Sequence, residues 1–160
     1  MNKTIALYDY NVWANERILN HLKSLPVEVF SCQVGNVFPS IAIALGHIAA
    51  VDEVWFYRMK AESPLSIDTN QFNNIDEAWN YFNKLHYEVK EFLLKKEDLE
   101  AAVTYKNTRG MEFNNTISEI VQHMVNHGTY HRGNITSILR QIEYSGISTD
   151  YIEYLRTTKA

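Results

Sequence analysis

The stretch QHMVNHGTYHRGN carries three histidines, His123, His127 and His131, at successive four-residue spacings. On an α-helix four residues advance the chain by about 400°, so each imidazole stands one turn along and about 40° round from the last. Two such rings can close on one metal ion, as the paired histidines of an HExxH helix do. With Met124 set at zero, Ile117, Ile120, Val121, Ile135, Ile138, Leu139 and Ile142 all fall within about 60° of it. On that wheel His131 lies about 20° and His127 about 60° from the centre of the apolar stripe, whereas His123 lies near 100° at its flank. His127 and His131 are therefore the better pair. A lone histidine on an apolar face is ordinarily a hydrogen-bonded packing residue. Two at this spacing inside an apolar stripe are costly to bury unless something, such as a metal, partners them. Two ligands still make no site, and a third must come from another element.

The elements that must supply it read as follows. Residues 3–24 form a first helix, with Ile5, Tyr8, Val12, Leu19 and Leu22 at helical spacing and Pro26 beyond its end. Asn11 and Asn15 fall on the same stripe, either as core-edge amides or as support for a site. A polar linker spans roughly 25–39. Ser40 caps a second helix over about 40–61, and His47 lies near the middle of its broad apolar arc. That makes His47 the third ligand candidate. Asp52, about 140° round from His47, suits instead a pairing with an arginine, tyrosine or histidine of a neighbouring helix. A third helix, about 75–97, starts at Asn74 with Glu77 at capping-box spacing and carries His86 at the edge of its stripe, a reserve ligand.

Residues 101–106 and 111–114 predict two short strands around Asn107 and Gly110. Thr116 then caps the fourth long helix, with Glu119 completing a capping box; it runs to about Gln141 and is over by Gly146. Gly128 and Gly133 inside it each cost up to about 1 kcal/mol relative to alanine, explicable where something must come close. The aromatic tail 147–160 is expected to pack back over one end. The layout is all-α, a four-helix bundle with long crossover connections and a small β-hairpin before the last long helix.

The 160 residues suffice for one domain, 1–160, with its own core. Hydrophobic residues make up 46% and charged residues 21%, with net charge −4 and no basic cluster, which argues against a nucleic-acid partner. Cys32 stands alone, so no internal disulfide forms and a reducing cytoplasm is expected. No run of 18 apolar residues exists, so no membrane span is expected. There is no Gly-rich phosphate loop and no Ser or Cys nucleophile motif. Trp13 on the first helix, with Phe56 and Tyr57 on the second opposite His47, could form an outward aromatic patch fit for a homodimer.

The segments YDYNVWANERILNHL, LGHIAAVDEVWFYRM, HMVNHGTYHRGNI and DYIEYLR, in this order over nearly the whole chain, resemble the DinB/YfiT-like family. The resemblance implies a dimeric four-helix bundle with one divalent metal held by three histidines, which carry over to His47, His127 and His131. His123 is a frequent companion and not the usual ligand. Characterised members include S-transferases and isomerases that use low-molecular-weight thiols such as bacillithiol or mycothiol. Three neutral histidines leave an ion with open positions, as in catalytic zinc sites. Zinc, nickel, iron and cobalt all suit such a set. Three readings follow: a metal-dependent enzyme activating a small thiol, a hydrolase using metal-activated water, and a non-catalytic metal-binding stress-response protein. Asn11, Asn15, His123, Tyr130 and Arg132 are candidates to support the ligands or contact a substrate. Tyr130 and Arg132 lie about 100° either side of His131, where Arg132 could orient an anion or serve a salt bridge.

Overall fold

In the computed structural model the described residues are 2–158 except 65, 68 and 70, so the last two residues of the tail lie outside them. The order is α1 (Lys3–Lys23), α2 (Glu28–Ser31), α3 (Ile41–Met59), α4 (Ile75–Lys95), β1 (Ala102–Lys106), β2 (Glu112–Thr116), α5 (Ile117–Gln141) and α6 (Tyr151–Thr157). Each long helix begins where a short polar side chain can serve an orphan amide. Asn2 accepts from Thr4, Ser40 from Ile43, and Asn74 from Glu77. Thr116 accepts from the Glu119 amide while the Glu119 carboxylate reaches back to the Thr116 amide, which closes the expected capping box. The strands pair antiparallel from Ala102 opposite Thr116 to Lys106 opposite Glu112. Asn107 Oδ1 accepts from the amides of Arg109 and Met111, and Gly110, at φ 78°, supplies the left-handed residue of the turn.

α5 packs on α1 and α3, and α4 packs on the same two helices. The apolar side chains between them fall into two clusters. One holds Ile18, Leu19, Ile48, Phe82, Ile135 and Leu139. The other holds Tyr8, Phe56, Leu85, Val89, Ile120 and Met124. Each of the four long helices carries a buried polar residue at, or within a turn of, the passage from one cluster to the other: Asn11 and Asn15 on α1, Asp52 on α3, His86 on α4, Arg132 on α5. Among the described residues no helix is long and apolar enough to cross a membrane.

Two expectations change. The linker 25–39 contains the single-turn helix α2, which buries Val29 and Phe30. The tail forms α6 and returns over α1: Trp13 lies 5.5 Å from Tyr154, under Arg17, which also pairs with Glu153. Phe56 is buried against Phe92, and Tyr57 lies half-buried beneath Lys60. Phe56 is therefore withdrawn from the outward patch expected with Trp13 and Tyr57, and Trp13 is partly covered by α6. The helical wheel places a residue on a face but does not say which later segment will cover that face.

Candidate metal centre

His127 and His131 project from one face of α5, and His47 meets them from the middle of α3. Their ligating nitrogens all lie within 4.8 Å of one another. The ring centroids of His47 and His131 are 4.6 Å apart, and those of His127 and His131 4.4 Å. Nε2 of His127 stands 3.2 Å from Nε2 of His47. Two nitrogens bound at zinc distances with a tetrahedral angle between them would be about 3.3 Å apart. The residues present therefore fit a divalent ion.

The donor atoms are in the right protonation state to ligate. Burial lowers the pKa of His47, and the charge of His131 lowers it further. Burial is also the main cause at His127, followed by His131, His47 and His123, and takes its pKa to about 3. His131 is lowered by burial, with Asn134 acting against it. At all three the shift favours the neutral form, which has a nitrogen lone pair to offer. The second nitrogen of His131 is spoken for: Nδ1–H donates to Asn134 Oδ1 at 3.1 Å, which fixes the tautomer and turns Nε2 toward the cluster. Asn134 stands three residues after His131 and is reachable on the same helix face, so the sequence held this signal although histidine spacing alone passes over it.

Aromatic rings surround the trio. Phe38, from the loop before α3, lies 5.4 Å from His47 and 5.2 Å from His131. Tyr130 lies 5.0 Å from His131 and is 68% exposed. Nothing in the sequence pointed to Phe38, because its loop has no periodicity. His123 sits one turn from His127, ring centroids 6.0 Å apart, against Trp55 at 4.6 Å. It flanks the cluster without being one of its three members.

The remaining candidates are gathered elsewhere. Arg132, 2% exposed, donates from Nη1 to Asn11 Oδ1 at 2.9 Å and Asn15 Oδ1 at 2.7 Å, and from Nη2 to Thr129 Oγ1 at 3.0 Å. Guanidinium can only donate, so the Asn15 oxygen faces it and Asn15 Nδ2 must be the donor to His86 Nε2, 3.2 Å away. That leaves the His86 proton on Nδ1. Burial first, and then the charge of Arg132, lower the His86 pKa to about 4. Asp52 is buried beside this chain, and burial raises its pKa to about 7 against the opposing effects of Arg132 and the Asn11 amide. Gly128 makes the arrangement possible: a Cβ there would stand 2.7 Å from Arg132 Nη1 and 2.8 Å from Asn11 Oδ1. At Gly133, by contrast, a Cβ would meet nothing within 4 Å. Among the described residues no hydrogen bond or ring contact joins Asn11, Asn15, His86 or Arg132 to the three histidines. Arg132 is thus part of the helix-to-helix packing and does not stand over the centre.

The DinB family profile matches residues 1–160. Protein DinB of Bacillus subtilis (strain 168) is 39% identical over 161 aligned residues, covering 96% of this chain and 94% of the relative. The crystal structure of a DinB-like protein from Bacillus cereus ATCC 10987 superposes with a TM-score of 0.69 over 91% of this chain and 94% of that one, at 16% identity. The structural likeness speaks to the fold, while the full-length sequence match speaks to descent: this chain belongs to the DinB family.

Proposed function

We propose that this chain holds one divalent transition-metal ion with His47, His127 and His131 and uses it to activate a low-molecular-weight thiol for transfer to an electrophile. One observation carries the reading. Among the described residues the cluster comprises three histidines and no carboxylate or cysteine, so the protein supplies three neutral donors and leaves coordination positions over. When bound, the ion would hold a thiol as its thiolate at neutral pH. The chain's own contributions are definite. Asn134 orients His131, burial favours the neutral form of the three imidazoles, and Phe38 packs against His47 and His131. The four mutually packed long helices are read as a four-helix bundle that carries the centre, and the unpaired Cys32 suits a cytoplasmic location. The identity of the ion is left to measurement, since zinc, nickel, iron and cobalt all accept such donors.

Metal analysis of the purified protein is followed by assays of cysteine, 2-mercaptoethanol and bacillithiol with 1-chloro-2,4-dinitrobenzene. The expected result is thiol consumption that requires the metal and disappears in His131→Ala. A rate unchanged by metal removal would remove the thiol-transfer reading. Hydrolysis of a generic ester by the metal-loaded protein, with no thiol turnover, would replace it with a hydrolase.

A further inference from the structure

Past the three histidines, the row of rings shared by α5 and α3 continues to a positive charge. His123 follows His127 at 6.0 Å, and Trp55 follows His123 at 4.6 Å. The guanidinium of Arg58 then lies over the Trp55 ring at 4.4 Å and over Tyr105 at 5.2 Å, while Trp55 and Tyr105 meet edge to face at 5.5 Å. Each member of the row is thus in contact with the next. Arg58 is 6% exposed, yet among the described residues no ion pair includes it. Glu62 stands at i+4, where a carboxylate can reach an arginine, but it pairs with Lys60 instead. Nε of Arg58 is sealed from solvent without a hydrogen-bond partner, whereas the two terminal nitrogens are not sealed, so the outer edge of the fork is what reaches the surface. Burying an arginine without a counter-charge is costly, and two ring faces offset only part of that cost. The charge is also felt toward the metal centre: after burial, it is the second cause that lowers the His123 pKa.

Beside this row lies a cavity of about 200 Å³ walled by Trp55, His123, Asn115, Glu119 and Ile120, room for one end of a small molecule. Its polar groups bond one another. Tyr105 Oη donates to Asn115 Oδ1 at 2.8 Å, Asn115 Nδ2 donates to Glu119 Oε2 at 3.0 Å, and the Thr116 amide donates to the same oxygen. Those last two bonds, Asn115 first, lower the Glu119 pKa and keep it ionised. A dianion such as phosphate would meet that charge twice over, whereas a carboxylate carries one charge and offers two oxygens to an arginine fork. The geometry points to Arg58 as the anchor for a single carboxylate group of the molecule brought to the metal centre, with Trp55 and His123 flanking the path between the two. The inference rests on the metal-dependent reading for the other end of that molecule, but the anchor is made of side chains present with or without the ion.

The test is isothermal titration calorimetry on the metal-loaded protein with ω-mercaptoalkanoates of four to ten carbons, ω-mercaptoalkanols of equal length, and alkanoates that lack the thiol. At the best chain length the mercaptoalkanoate is expected to bind at least tenfold more tightly than its alcohol counterpart. That preference should fall severalfold between 50 and 500 mM salt, a dependence read on the wild type that needs no variant to fold. Arg58→Met should abolish the preference and leave the alcohol within about threefold, while Arg58→Lys, which keeps the charge but not the fork, should retain part of it. If Arg58 served packing alone, its replacement would weaken acid and alcohol alike. Alkanoates that bind as tightly as the mercaptoalkanoates, and lose affinity in Arg58→Met, would leave the anchor standing and remove the thiol reading. Equal affinity of acid and alcohol at every length, or a preference that Arg58→Met retains, would overturn the anchor.

Discussion

Two groups of polar side chains share the interior of this protein, and the same helices supply both. On one face of α5, His127 and His131 meet His47, and their ligating nitrogens converge on one another. On the other, Gly128 and Arg132, each the next residue after one of those histidines, meet α1 through Asn11 and Asn15, and through Asn15 reach His86 of α4. In the second group Arg132, Asn11, Asn15 and His86 bond one another across three helices, although Asn11 Nδ2, both Asp52 carboxylate oxygens, His86 Nδ1 and Arg132 Nε are buried without a partner. In the first the ligating nitrogens of three histidines gather at one place. A polar layer bonded from helix to helix fixes how the helices sit; a cluster of convergent imidazole nitrogens offers a site to a ligand. The difference teaches where to look for chemistry in a helical protein: burial, polarity and unpaired atoms are common to both groups, and only the convergence of metal-ligating nitrogens is specific to one.

The comparison can be broken first at Arg132. Replacing it by methionine removes the donor that Asn11 and Asn15 face and leaves Asp52 without its nearest cation. A loss of about 3–5 kcal/mol is expected, read from urea unfolding. The same change should leave the metal stoichiometry of whatever folds intact, because Arg132 touches none of the three histidines. On the metal face, Asn134→Ala should cost about tenfold or more in metal affinity by freeing the His131 tautomer, with little change in stability. Loss of stability without loss of affinity would move Asn134 into the packing.

Glycines give a paired test of the layer. Gly128→Ala should destabilise by about 1–3 kcal/mol, since the new methyl group meets Arg132 and Asn11. Gly133→Ala, one and a half turns along the same helix and facing open space, should be neutral or stabilise by up to about 1 kcal/mol. Equal effects would mean that close approach at Gly128 is not what selects glycine there.

The smallest effect expected is in pH dependence. His86 has its folded pKa lowered from 6.5 to about 4, so the unfolded chain binds more protons between those values and stability falls as pH drops through that window. Asp52 has its folded pKa raised from 3.8 to about 7, so its contribution has the opposite sign and falls as pH rises through that range. The two partly cancel. His86→Gln should therefore flatten the acid side of the stability profile and Asp52→Asn should steepen it, by no more than about 1.4 kcal/mol per pH unit in either case. Parallel profiles for both variants and the parent would show that neither group titrates in this range.

What the sequence made legible follows the same division. The trio could be read because i, i+4 spacing and helical wheels are properties of single helices, and His47 lay near the middle of the apolar arc of its own helix. Asn11 and Asn15 could be placed on the core stripe of α1, yet their partner could not, since the Arg132 contact exists only once α1 and α5 are packed. Asp52 was legible as a residue suited to an arginine, tyrosine or histidine of a neighbouring helix, though not which one. Phe38 was not legible, being in a loop without period. Trp13 was read as exposed because the segment that covers it, α6, lies 138 residues later in the chain and leaves no mark on the wheel of α1.

The three convergent histidines, and not His86, are predicted to hold the metal ion. Titrating Co(II) into the metal-free protein and following its visible absorption tests this directly. Wild type and His86→Gln should each bind one ion per chain, with the intense bands of a site of low coordination number. His47→Ala, His127→Ala and His131→Ala should each lose at least a hundredfold in affinity while keeping their helical circular dichroism. An ion that still binds the His131→Ala protein at full stoichiometry and affinity, or one that is lost in His86→Gln alone, would contradict the account.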